Sequence, residues 1–189
     1  YVEKSAVEQQ QSRLVLDTYQ NLLNKVYSLF DEGQIGRIVK DLKWARRVFI
    51  CGRGSSGLAA EEMATRFRWI GIEVTALRDN ENMRMQTIGL SLSGTKSEVL
   101  YMLHRGFRQG ARTLLITEKN RQTYEEFCNE VLLVPSLQHL NYGNLISPQF
   151  PLLLMIDILY AAYVNDDRTR IERIQREIQR TLRGNNEER

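Results

Sequence analysis

Two stretches of this sequence place hydroxyl groups where the chain can turn tightly enough to aim them. They are Gly52-Arg53-Gly54-Ser55-Ser56-Gly57 and Ser91-Leu92-Ser93-Gly94-Thr95-Lys96-Ser97-Glu98. Each follows a short apolar run, Val48 to Cys51 for the first and Ile88 to Ser91 for the second, and each leads into a helical pattern. Backbone N–H groups at a helix start, together with the positive end of the helix dipole, make an anion site. Ser91, Ser93 and Thr95 add hydroxyls that can donate to phosphate oxygens, Gly94 lets the chain turn closely around them, and Lys96 can neutralise charge. A second account of this loop is that Ser and Thr cap the helix, with Glu98 closing a capping box. Two serine-rich loops at the ends of two strands of one sheet are harder to explain by capping than one.

The first loop also fits the G-x-G-x-x-G dinucleotide pattern, with Asp79 following where a ribose-binding acid would sit. A lone glycine pattern is weak, and Ser55-Ser56 supplies hydroxyls that a pyrophosphate turn does not require. No Gly-Lys-Ser/Thr follows the glycines, so the sequence has no P-loop. Groups able to move a proton are few. His104 lies mid-helix, His139 in the loop after the last strand, and Glu61-Glu62 on the helix past the first loop. A surface or solvated role outweighs catalysis for each. Ser147 precedes an apolar helix opening at Pro148, where it reads equally as a cap and as a sugar contact.

The elements that must hold these loops follow from periodicity. Apolar residues recur at helical spacing from about Val7 to Phe30, and Asp31-Glu32-Gly33 is expected to end that helix with a left-handed glycine. A second helix runs from about Gln34 to Ala45. The expected strands are Val48–Cys51, Ile72–Leu77, Ile88–Ser91, Arg112–Thr117 and Val131–Pro135. Between and after them come helices at about Leu58–Trp69, Lys96–Arg108, Thr123–Cys128 and Pro148–Tyr163, then a helical tail over Asp166–Leu182. This alternation predicts an α/β domain: a doubly wound, five-stranded parallel sheet flanked by helices. Residues 1–45 form N-terminal helices, 46–165 the core and 166–189 a helical tail. The connection Arg78–Thr87 is short for a parallel crossover with a helix, so residues are expected to be missing between Met85 and Ile88.

Composition narrows the function classes. The 189 residues, 42% hydrophobic and 26% charged, suit one domain that buries its own core. A net charge of +3 is too small to argue nucleic-acid binding by this chain alone. Cys51 and Cys128 lie far apart, and Cys51 sits in a core strand, so free thiols in a reducing cytoplasm are expected. With two histidines and no Cys/His cluster, neither a zinc site nor a cofactor is implied. The longest apolar run, Pro151 to Ile156, is stopped by Asp157, far short of a membrane helix, and no signal peptide is visible. The chain opens at Tyr1 without a methionine, so a longer parent protein is expected.

The two loops together resemble the sugar-isomerase (SIS) domain, a flavodoxin-like fold found in phosphosugar isomerases, in the isomerase half of glucosamine-6-phosphate synthase and in RpiR-type transcriptional regulators. The similarity spans about Arg46 to Tyr163, and Ser-x-Ser-Gly-Thr is its most specific part. Ile146-Ser147-Pro148-Gln149-Phe150-Pro151 and Asp157-Ile158-Leu159-Tyr160 are similar to the end of the RpiR effector domain. The resemblance implies that Ser91, Ser93 and the Thr95 turn hold a phosphate, and that Ser55 and especially Ser56 contact the sugar. Lys96 departs from the family, many of whose members carry a hydroxyl there. The hexulose-phosphate isomerases carry Glu-Thr-x-Thr-Pro and Gly-Thr-x-Phe-Glu segments, where this chain has Arg78-Asp79-Asn80-Glu81-Asn82 and Asn144-Leu145-Ile146-Ser147-Pro148.

The expectation is therefore a phosphosugar-sensing effector domain rather than an enzyme, with an amino sugar 6-phosphate as the family-level guess. DNA would be bound only through a helix-turn-helix part absent from this chain, and no membrane is involved. A homodimer or higher homo-oligomer is expected, with the apolar stripes of the first and tail helices serving either as its surfaces or as packing on their own domain. The alternative is an aldose–ketose isomerase using Glu62 or His139, and a dinucleotide-binding module ranks third.

Overall fold

The computed structural model describes residues 2–77 and 86–187. Five parallel strands form one sheet: β1 (Val48–Gly52), β2 (Val74–Leu77), β3 (Gln86–Leu90), β4 (Thr113–Thr117) and β5 (Glu130–Leu133), in the order β2-β1-β3-β4-β5. This is the expected doubly wound α/β sheet. The chain winds outward in both directions from the β1/β3 pair, so that pair is the topological switch point.

Alternation along each strand divides the core in two, because successive side chains point to opposite faces. Val48, Ile50, Ile88, Leu90, Leu114, Ile116 and Leu132 join one apolar cluster. Helices α2 (Glu32–Trp44), α3 (Ser55–Trp69) and α5 (Phe150–Asp166) cover that face, and Ile171 of α6 (Arg168–Glu187) enters the same cluster. Phe49, Cys51, Leu115 and Val131 point the other way, onto Val99, Met102 and Leu103 of α4 (Ser97–Arg108) and onto Tyr124 and Phe127. Helix α1 (Val2–Leu29) packs apart from both. Its Leu22 meets Leu140 and Ile146, Tyr19 lies edge-on to Phe150 at 4.5 Å, and Lys25 Nζ donates to the His139 carbonyl at 3.0 Å.

Three local expectations differ from the structure. Gly33 does not close α1; Asp31 instead caps α2, its Oδ1 accepting from Gln34 N at 3.0 Å, and Gly33 lies in that helix's first turn. Residues 123–128 form no α-helix. A 3₁₀ turn, Arg121–Thr123, is capped by Asn120, and the chain then turns to bury Tyr124 and Phe127. A segment this short does not nucleate an α-helix unaided. The apolar helix begins at Phe150, with Pro151 in its first turn, because the Ser147 carbonyl accepts from Phe150 N at 3.1 Å in a turn outside the helix. The expected gap before Ile88 involves residues outside those described; β3 itself runs from Gln86.

Candidate functional site

Both serine loops leave the carboxyl edge of the sheet at the switch point. Gly52, the last residue of β1, pairs with Leu90, the last of β3, and the residues that follow are Arg53-Gly54-Ser55-Ser56 and Ser91-Leu92-Ser93-Gly94-Thr95. Gly52 must be glycine for packing: a Cβ there would lie 2.4 Å from the Ser56 carbonyl oxygen. The first turn of α3 therefore sits directly on the end of β1. Gly54 precedes α3 at φ 60° with no side-chain cap, Ser55 is half-buried at the helix start, and Ser56 is buried.

The second loop is a tight turn, with Gly94 N donating to the Ser91 carbonyl at 3.0 Å. Ser93 Oγ and Thr95 Oγ1 lie 3.0 Å apart, and Thr95 N donates to Ser93 Oγ at 3.4 Å. The carbonyls of the turn are engaged from the β4 side. Leu92 O accepts from Thr117 Oγ1 and from Glu118 N, both at 3.1 Å, and Gly94 O accepts from Tyr124 Oη at 3.1 Å. With the Leu92 and Gly94 acceptors tied back, hydroxyls and the α4 start are what the turn can offer a ligand. Capping does not use the hydroxyls here: the residue before α4 is Lys96, exposed, and the helix has no side-chain cap hydrogen bond. Glu98 does not close a capping box; it pairs with Arg53 at 2.6 Å and accepts from Ser97 Oγ at 3.2 Å.

Ser91 is 1% exposed, and its Oγ has no hydrogen-bond partner. Among the described residues only Thr87 Oγ1 shares that condition, at the opposite, amino end of β3. A buried hydroxyl left unsatisfied costs about 1–3 kcal/mol. Ser91 lies at the mouth of a parallel sheet, beside two helix N-termini without side-chain caps, where an oxyanion could supply the missing partner.

Ser147, the last of the singled-out residues, is exposed between α1 and α5, and its Oγ accepts from Gln149 N at 3.4 Å. Among the described residues, no hydrogen bond or ion pair joins it to the two loops. Of the proton-transfer candidates, Glu62 is exposed, His104 stacks on Phe127 at 3.6 Å on the outer side of α4, and His139 is exposed on the segment held by α1. The sequence reading passed over Arg53, which bridges the loops, and the Thr117-Glu118-Lys119 run. Glu118 is 11% exposed, with Lys119 Nζ 3.6 Å away. The signal was available, since the run directly follows a predicted strand and must lie at the same edge of the sheet. Tyr124 carried no such signal. Among the described residues no cluster could hold a metal ion, and no helix is long and apolar enough to cross a membrane.

Comparisons with known proteins agree with this geometry. No protein-family model matches the chain. It is 32% identical over 156 residues to an uncharacterised HTH-type transcriptional regulator of Haemophilus influenzae, covering 78% of this chain and 54% of that protein. It is 26% identical over 134 residues to a 3-hexulose-6-phosphate isomerase of Mycobacterium gastri, covering 69% and 67%. Its fold matches Vibrio vulnificus NanR complexed with ManNAc-6P (TM-score 0.75, 17% identity, 93% of this chain and 68% of that one). The sugar-isomerase domain of an RpiR transcription factor from Sphaerobacter thermophilus matches equally well (TM-score 0.75, 19% identity, 89% and 97%).

The chain has the fold of the sugar-isomerase (SIS) domains of RpiR and NanR regulators, and its sequence is related to HTH-type regulators and to a phosphosugar isomerase. It spans about half the length of the HTH-type regulators it matches.

Proposed function

We propose that this chain is the phosphosugar-sensing effector domain of an RpiR-like transcriptional regulator. The observation that carries the reading is the buried, partnerless Ser91 hydroxyl at the head of a turn whose Leu92 and Gly94 carbonyls are tied back. Ser91, Ser93, Thr95 and the start of α4 hold the phosphate, and Lys96 adds positive charge. Ser55 and Ser56 face the sugar from the first loop. Support for a sensor over an enzyme comes from the regulator at 32% identity and from the surface positions of Glu62, His104 and His139. The NanR relative, complexed with ManNAc-6P, supports an amino sugar 6-phosphate as effector.

Ligand binding orders the two loops and favours one arrangement of paired domains, which sets how DNA-binding parts outside this chain are presented. The pairing is between two copies of the chain, in the cytoplasm. Leu16 and Tyr27 lie exposed on one face of α1, their spacing near three whole turns of a 3.6-residue helix, and with Phe30, exposed just past the helix end, they offer an apolar surface for it. Sedimentation of the purified chain at micromolar concentration would detect the dimer, and a monomer there would remove this part of the proposal.

A second reading, an aldose–ketose isomerase, is favoured by the hexulose-phosphate isomerase relative and by the nearly buried Glu118 carboxylate at the mouth. Proton NMR with a panel of hexose and amino-sugar 6-phosphates separates the two. Line broadening without conversion, abolished by Ser93→Ala, is the sensor's result; catalytic conversion of any panel member overturns it.

A further inference from the structure

The mouth between the loops holds one feature that a phosphate turn does not require. Arg53 Nη1 lies 2.6 Å from Glu98 Oε1, joining the loop after β1 to the first turn of α4. The other carboxylate oxygen accepts from Ser97 Oγ at 3.2 Å. Glu98 is thus an internal anion, seated where the chain has assembled donors and positive charge. Its carboxyl is held below the usual carboxylate range chiefly by a hydrogen bond from its own backbone N–H; Ser97, Arg53 and Lys96 assist against the opposing effect of burial. That N–H is one of the first-turn donors that an anion at the start of α4 would use.

We propose that Arg53 is a ligand-binding residue held in reserve by Glu98, and that an arriving phosphate displaces the Glu98 carboxylate and takes over Arg53. The proposal rests on the phosphosugar reading of the Ser91–Thr95 turn. Three properties of the pair fit an exchange of partners. Both side chains are more than half exposed, so the ion pair is weak and separates at little cost. The guanidinium fork matches phosphate as well as it matches carboxylate, and both can be gripped by two N–H groups at once. A phosphate dianion carries more charge than the carboxylate it replaces, so the swap favours the ligand wherever Lys96 and Lys119 add to the local positive potential. Among the described residues Arg53 is also the one side chain of the first loop with a charged partner on the second, so its release couples the two halves of the mouth.

The test is titration calorimetry at low ionic strength with inorganic phosphate and with the 6-phosphate panel, on wild type, Glu98→Gln, Arg53→Ala and the double variant. Removing the internal competitor should tighten phosphate binding about three- to fivefold, the scale of an exposed ion pair. Arg53→Ala should weaken it by a similar factor, and by more in the Glu98→Gln background, where the arginine is free to engage. If wild type binds but Glu98→Gln binds equally or more weakly, Glu98 is only a first-turn acid stabilising α4. That result overturns this proposal and leaves the phosphosugar reading standing. Arg53→Ala binding as tightly as wild type overturns it as well. If wild type binds none of the probes, the phosphosugar reading fails and this proposal fails with it.

Discussion

Tyr124 reaches back thirty residues to donate to the Gly94 carbonyl, and its hydroxyl fills the space a side chain at position 94 would need. A Cβ on Gly94 would lie 1.9 Å from Tyr124 Oη, and the residue stands at φ 64°. Both space and conformation therefore demand glycine. Tyr124→Phe keeps the ring and removes the donor, leaving a loop carbonyl without its partner. Such a loss costs about 1–3 kcal/mol. Because the turn that relaxes is the one that presents the hydroxyls, phosphosugar affinity should fall about tenfold, the equivalent of about 1.4 kcal/mol. Calorimetry beside thermal unfolding checks this, and an unchanged affinity would show that the turn holds its shape without Tyr124. The hydroxyls of the turn were legible in sequence because serine, glycine and threonine stand together. The groups that tie back its carbonyls were not, since Thr117, Glu118 and Tyr124 come from another strand end. The two thiols give a simpler prediction. Burial pushes both Cys51 and Cys128 up to about 12, so at pH 8 neither should react with a thiol reagent until the protein is unfolded. Rapid labelling of the native protein would contradict their burial.

At the scale of elements, the strands were legible because each is a short apolar run closed by a turn signal, and both core faces draw on alternate residues of the same strands. The short helix expected at Thr123–Cys128 misled because its aromatic residues are buried through turns, a tertiary outcome that periodicity cannot report. Equally hidden was how α2 is fastened to β5. Glu130, on the strand, has a side chain only 6% exposed. It accepts from Gln34 Nε2 at 2.9 Å and from Arg37 Nε at 2.8 Å, with Arg121 3.8 Å away. Burial raises its carboxyl, but the hydrogen bonds from Arg37 and Gln34 and the charges of Arg37 and Arg121 outweigh that, leaving it below the usual range. A carboxyl depressed on folding adds stability above its unfolded value of about 4.3, and that stability is lost as pH falls below it. Glu130→Gln should therefore cost about 1–2 kcal/mol at pH 7, a modest figure because Arg37 is half exposed and can rehydrate. The gap between variant and wild type should begin to narrow as pH falls below about 4.3 and close as the folded carboxyl itself takes up its proton. Denaturant unfolding of both proteins at pH 7 and pH 3.5 measures it, and a gap that does not narrow in acid would mean that packing, not charge, joins α2 to the sheet.

For the molecule as a whole, the site joins the two directions of winding. The loop after β1 carries α3 on one face of the sheet, and the loop after β3 carries α4 on the other. A ligand gripping both loops thus links the two apolar clusters across the sheet, and it binds only the folded chain, because the unfolded chain has no such mouth. Binding of this kind stabilises by an amount set by mass action alone, about 2.7 kcal/mol when free ligand stands at 100 times its Kd. For a chain of this length, 1 kcal/mol moves Tm by about 2–4 °C. The effector phosphosugar should therefore raise Tm by about 5–10 °C at that concentration, while the same sugar without its phosphate should raise it little. Ser91→Ala tests the role of the buried hydroxyl within this scheme. Unliganded, the variant should be as stable as wild type or slightly more so, since it removes a buried group that has no partner. With ligand it should lose most of the shift. Differential scanning fluorimetry on wild type and Ser91→Ala, with and without phosphosugar, reads all four states. A wild-type shift that survives in Ser91→Ala would move the phosphate away from the head of the turn. A variant destabilised without ligand would mean that Ser91 already has a structural partner, and that its hydroxyl is not the ligand's.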